Sequence, residues 1–73
     1  MHEFELIIGE NAELLYNVLK NEEAPRCKIK FSLSDEKLVI NMKAKTISNL
    51  RAAINSFMIW IDMVNRIVKA KNI

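Results

Sequence analysis

The chain is poor in the residues that most often carry chemistry. A single cysteine, Cys27, excludes an internal disulfide and fits a reducing compartment. A single glycine, Gly9, excludes a glycine-rich phosphate loop. A single histidine, His2, leaves neither a Cys/His nucleophile pair nor a zinc site with enough ligands. The adjacent carboxylates Glu22-Glu23 and Asp35-Glu36 read as solvated turn residues. We therefore expect no enzyme, no cofactor and no metal. The longest apolar stretch is broken by Arg51, Asn55, Asp62, Asn65 and Arg66, so an ordinary membrane span is not expected. The opening MHEFELIIGE is too acidic, and its apolar run too short, for a signal peptide. A soluble, cytoplasmic protein without a membrane partner is the expectation.

What is present is apolar surface in excess. Seventy-three residues make one domain, and a chain this short buries only about 60% of the surface its unfolded form exposes. From Thr46 to Val68, Ile47, Leu50, Ile54, Phe57, Ile61, Val64 and Val68 recur at spacings of three and four, the seam of an amphipathic helix. Ala53, Trp60 and Ile67 widen that seam. Met58, Ile59 and Met63 fall largely outside it.

Turn signals divide the chain into five elements. His2 to Ile8 alternates, with Phe4, Leu6 and Ile8 on one face and Glu3 and Glu5 on the other, as in a half-buried strand. Gly9 ends it, and Asn11 is a suitable N-cap for a helix over about Glu10 to Lys20. Ala12, Leu15 and Leu19 form one stripe of that helix, and Leu14 and Val18 lie beside it. Pro25 disfavours continuation. Arg26 to Leu33 alternates again, with Cys27, Ile29, Phe31 and Leu33 facing the core. Ser34-Asp35-Glu36 is a tight hairpin connection to a strand over Lys37 to Ala44, whose Leu38, Ile40, Met42 and Ala44 face inward. Thr46 or Ser48 caps the long helix, which spans about 34 Å if it reaches Lys69. The expected fold is α+β: β-α-β-β-α, a three-stranded antiparallel sheet with both helices on one face. The third, most apolar strand belongs in the middle, which permits a right-handed split crossover.

A three-stranded sheet covers one face of a helix. The apolar residues left over, Leu14, Val18, Met58, Ile59 and Met63, are the candidates for a docking surface. Charge is also uneven. Residues 1–25 carry six acids and one lysine, for −5, and residues 26–73 carry ten bases and three acids, for +7. Arg26, Lys28, Lys30 and Lys43 fall on the open sheet face and Arg51 on the polar side of the long helix. These five are the candidates for phosphate contacts.

The run from Leu38 to Val64 resembles the small dimerisation subunit of the KEOPS complex, a cancer/testis-antigen-like family shared by archaea and eukaryotes. The resemblance rests on a strand ending in I-x-x-K-A, here Ile40, Lys43 and Ala44. It continues in L-R-A-x-I-N-S-F, here Leu50, Arg51, Ala52, Ile54, Asn55, Ser56 and Phe57, with an aromatic, Trp60, three residues on. It implies a single KEOPS-subunit-like domain over residues 1–73, a homodimer whose helices dock on the ATPase-like catalytic subunit. It also implies a non-catalytic scaffold that bridges two catalytic subunits and assists tRNA binding. The complex itself makes the threonylcarbamoyl group on adenosine 37 of tRNA. The alternative is a small autonomous KH-like RNA-binding protein. That module requires a GXXG loop between helices, which this chain lacks.

Overall fold

In the computed structural model, residues 1–71 are described. They form β1 (His2–Ile8), α1 (Ala12–Leu19), β2 (Cys27–Ser34), β3 (Lys37–Ala44) and α2 (Ile47–Lys71). The sheet order is β1-β3-β2 with antiparallel neighbours, so the most apolar strand is central, as its composition requires. Its inward residues Leu38, Ile40, Met42 and Ala44 are all buried, together with Ala12, Leu15 and Leu19 of α1 and Leu50, Ala53, Phe57 and Ile61 of α2. Phe57 sits at the centre. Its ring meets Phe31 of β2 at 5.7 Å and the edge of Trp60 at 5.0 Å, spacings at which aromatic pairs attract.

The hairpin between β2 and β3 closes at Ser34↔Lys37. Asp35 and Glu36 both have positive φ, 53° and 63°. Two left-handed central residues make the hairpin turn whose twist matches that of the strands. At the start of α2, the Thr46 hydroxyl accepts the Asn49 N–H at 3.1 Å and the Thr46 carbonyl accepts the Leu50 N–H. Of the two candidate caps, Thr46 is the one used.

Several sequence expectations are corrected. Asn11 occupies the cap position of α1 but does not cap it: φ is 56°, and its side chain instead donates to Asn65 Oδ1 at 3.3 Å. Cys27, expected inside the core, is half-buried, and so are Ile29 and Phe31 on the same strand. Phe4 and Leu33 share the inward face yet are exposed. These residues lie on the two edge strands, which helices centred on β3 cover only in part. Ile47 and Ile67 are exposed as well. Twenty-five helical residues run about 37 Å, whereas eight strand residues run about 27 Å. So α2 overhangs the sheet and part of its seam has nothing beneath it.

Candidate interaction surfaces

The helix layer carries the first surface. α1 packs over β3 and β2, and α2 over β3, β1 and part of β2, each mainly against the sheet. β1 delivers α1 at the Ile8↔Leu38 end, and β3 delivers α2 at the Ala44↔Cys27 end. The helices therefore run antiparallel, and the Asn11–Asn65 bond ties α2 back to the start of α1. Leu14, Val18, Met58, Ile59 and Met63 are between 44% and 58% exposed, so none of the five is spent on the core.

Helical phase divides the α2 members. At about 100° per residue, Ile59, Met63 and Ile67 follow at i, i+4 and i+8 and form one row beside Trp60. Trp60 contacts Phe57, whose ring meets Phe31 of β2, so this row lies on the side of α2 toward β2. Met58 is turned roughly 140° away from Met63. It shares its flank with Asn65, the residue bonded to Asn11 at the start of α1. The three α2 candidates thus belong to two flanks.

The open sheet face carries the second surface. Register sets Glu3, Lys43 and Lys28 in one row, Glu5, Asn41 and Lys30 in the next, and Ile7, Val39 and Ser32 in the third. Asn41 Nδ2 donates to Glu3 Oε2 at 2.7 Å. Arg26 lies one residue before β2, at φ 57°. Arg51 is exposed on α2, in the covering layer on the other side of the sheet, and does not join these rows. A residue not singled out from the sequence does join them. Lys45, one step past β3, lines an open groove of about 640 Å³ with Arg26, Lys28, Lys43, Thr46 and Asn49. The signal was present in the spacing of Lys43 and Lys45, which share one side of an extended chain.

Among the described residues no cluster of three His, Cys, Asp or Glu could hold a metal, and no helix is long and apolar enough to cross a membrane. Burial pushes the Cys27 thiol above its ordinary range, with a backbone hydrogen bond from Lys43 partly opposing it. A thiol held protonated is a poor nucleophile.

A family model described as Transcription factor Pcc1 matches residues 2–69, all five elements nearly to the end of α2. The chain belongs to the Pcc1 family. This is the KEOPS subunit family, so the resemblance read from Leu38 to Val64 extends over almost the whole chain. The Pcc1 family is that of a non-catalytic subunit, and membership implies a place in a multi-subunit complex. No curated protein matches the chain. The KH-like alternative gives way to the Pcc1 assignment.

Proposed function

We propose that the chain acts in the cytoplasm as a homodimeric, non-catalytic scaffold of KEOPS. In this reading it bridges two ATPase-like catalytic subunits and assists tRNA binding during threonylcarbamoylation of adenosine 37. The observation that carries the reading is the helix layer: two helices on one sheet face, each leaving a row of large apolar side chains in water. Fully burying such a side chain contributes about 1.5–3 kcal/mol, so a handful of them half-exposed represents several kcal/mol available to a partner. With the usual right-handed crossover, the Leu14–Val18 row of α1 and the Ile59–Met63–Ile67 row of α2 flank the space between the helices. Two amphipathic helices of a partner laid along that space would complete a four-helix packing. Met58 stands outside it. Arg26, Lys28, Lys30 and Lys43 supply phosphate contacts from the opposite face, and Arg51 from α2.

Co-purification with the catalytic subunit tests this. Ile59→Asp with Met63→Asp should reduce the captured partner by more than about tenfold, because each substitution would bury an unpaired carboxylate in the interface. The isolated chain should stay folded, since both side chains already face water. Capture at wild-type yield would sink the interface. Size-exclusion with light scattering separately tests the homodimer: a monomer at all concentrations would remove the bridging role.

A further inference from the structure

The eight residues of β2 pair with β3 along one edge. The other edge meets the chain once, at its start, where the Cys27 N–H donates to the Ala24 carbonyl at 3.3 Å. That bond fixes which way the backbone points. Backbone groups alternate in direction along a strand, so the N–H and C=O of Ile29, Phe31 and Leu33 point to the same side as the Cys27 N–H, away from β3. Among the described residues no backbone group pairs with them. Such an edge is usually blunted by shortness, proline, a bulge, an inward charge or lysine. β2 is eight residues long, keeps an unbroken register from Cys27 to Ser34, and turns Cys27, Ile29, Phe31 and Leu33 inward. Lysine is the one device it carries, and lysine turns away cations while attracting carboxylates.

The two sides of this edge suit different neighbours. Toward the helices, Ile29 and Phe31 are only half-buried and Leu33 is exposed. Apolar side chains laid beside them would finish a cover that α1 leaves incomplete. On the open face Lys28 and Lys30 follow at period two, and opposite charges on facing strand positions attract. A groove of about 560 Å³ lies here, lined by residues 20–24 and 27–31. Glu22 and Glu23 are among its lining residues, next to Ala24, where the bridge to Cys27 already closes the edge. The free length therefore runs from Ile29 to Leu33.

We propose that the outer edge of β2 takes an added strand from another protein, an extended segment in which acidic residues alternate with apolar ones. Its backbone pairs with the groups of Ile29, Phe31 and Leu33, its carboxylates face Lys28 and Lys30, and its apolar side chains extend the Ile29–Phe31 row. A second copy of the chain fits less well. A two-fold mate at this edge brings one lysine row to another. A mate offering β1, whose Glu3 and Glu5 do match, adds head to tail and leaves a further edge open, so the assembly does not close. Strand addition depends on neither the helix-layer docking nor the tRNA contacts, and it uses the edge of the sheet rather than its faces.

The test keeps the full chain unaltered and varies the probe, so folding of a variant is not at issue. The probe is a capped peptide of about seven residues alternating Glu and Val, a length that spans the free edge. It should bind saturably, shift the Ile29, Phe31 and Leu33 amides in NMR spectra and slow their hydrogen exchange. A peptide of the same composition with Glu and Val in separate blocks should bind at least about tenfold more weakly, and so should one with Lys in place of Glu, since two facing pairs change from attraction to repulsion. N-methylation of alternate peptide amides on the pairing edge should abolish binding. Equal binding of the N-methylated peptide would refute strand addition, and equal binding of the Lys peptide would refute the acidic partner. Absence of saturable binding would mean that Lys28 and Lys30 only guard the edge. Protection of the same three amides in the chain alone, growing with its concentration, would make a second copy the occupant and overturn the proposal. Tight tRNA binding by the assembled complex with no peptide binding would also overturn it while leaving the tRNA reading intact.

Discussion

The two broad surfaces of this domain are built from the same alternation of apolar and polar residues, yet they end in opposite states. On the open sheet face, period two sorts side chains cleanly. Every outward position of β2 and most of those on β1 and β3 are charged or polar, and Ile7 and Val39 are the apolar exceptions. On the helix layer, a period of 3.6 leaves side chains at intermediate angles. Ile59, Met63 and Ile67 lie too far around α2 to reach the sheet, and Leu14 and Val18 do the same on α1. A strand residue is in or out; a helix residue can be apolar and still stranded on a flank. The apolar surplus therefore collects on the helices and the charge on the sheet. The domain thus has an apolar surplus on one side and rows of lysines on the other.

Α2 shows that contrast within a single turn, and the largest expected effect breaks it there. Phe57 is fully buried between Phe31 and Trp60, while its neighbour Met58 is half in water. Phe57→Ala should cost about 3–5 kcal/mol, from lost burial plus the cavity left behind. Met58→Ala should stay within about 0.5 kcal/mol. Urea denaturation of both variants measures the difference. Total stabilities run about 5–15 kcal/mol, and a chain this small belongs near the bottom of that range, so the first variant should be close to unfolded at room temperature. Comparable losses for the two would mean that Met58 is core, and the apolar surplus would shrink accordingly.

The sheet face is tested next, by salt. Lys28→Glu with Lys30→Glu should weaken tRNA binding by the assembled complex and flatten the dependence of log affinity on log salt by about one to two units of slope, since up to two phosphate contacts are removed. The same double variant should leave capture of the catalytic subunit unchanged, because these lysines lie across the sheet from both helices. An unaltered slope would make the lysine rows ordinary solvated surface. Arg51, on the helix layer, should behave independently of the pair.

The sequence exposes much of this because the strands are short, strictly alternating and punctuated by Gly9, Pro25 and Ser34-Asp35-Glu36. β1 and β3 fall where alternation put them, and β2 is displaced by one residue. The order β1-β3-β2 followed from β3 being the most apolar strand. What alternation could not show was how far each helix reaches. Cys27, Phe31 and Leu33 have inward phase, but whether they are covered depends on where the helix axes cross the sheet, a property of the packed layers. Asn11 misled for a related reason. Local chemistry favours it as a cap, while a residue 54 positions away, Asn65, takes its side chain. Lys45 was not singled out because it follows the last strand residue, and its neighbours Arg26 and Lys28 come from another part of the chain.

The smallest effect concerns two turns at the Leu38 end of the sheet, where the same backbone conformation predicts opposite outcomes. Glu36 and Asn11 both hold left-handed φ, 63° and 56°. For a glutamate this region costs about 1 kcal/mol relative to glycine, and Asp-Gly is the favoured pair for a two-residue hairpin with both central residues left-handed. Glu36→Gly should therefore stabilise the domain by about 0.5–1 kcal/mol, after the extra freedom of glycine in the unfolded chain is subtracted. That is a rise in Tm of a few degrees. Asparagine already tolerates the conformation, and Asn11→Gly would also delete the bond to Asn65 that fastens the far part of α2 to the start of α1. It should lower Tm. If both substitutions stabilise, the Asn11–Asn65 contact contributes nothing. If Glu36→Gly destabilises, its side chain has a role at the hairpin that the backbone geometry does not reveal.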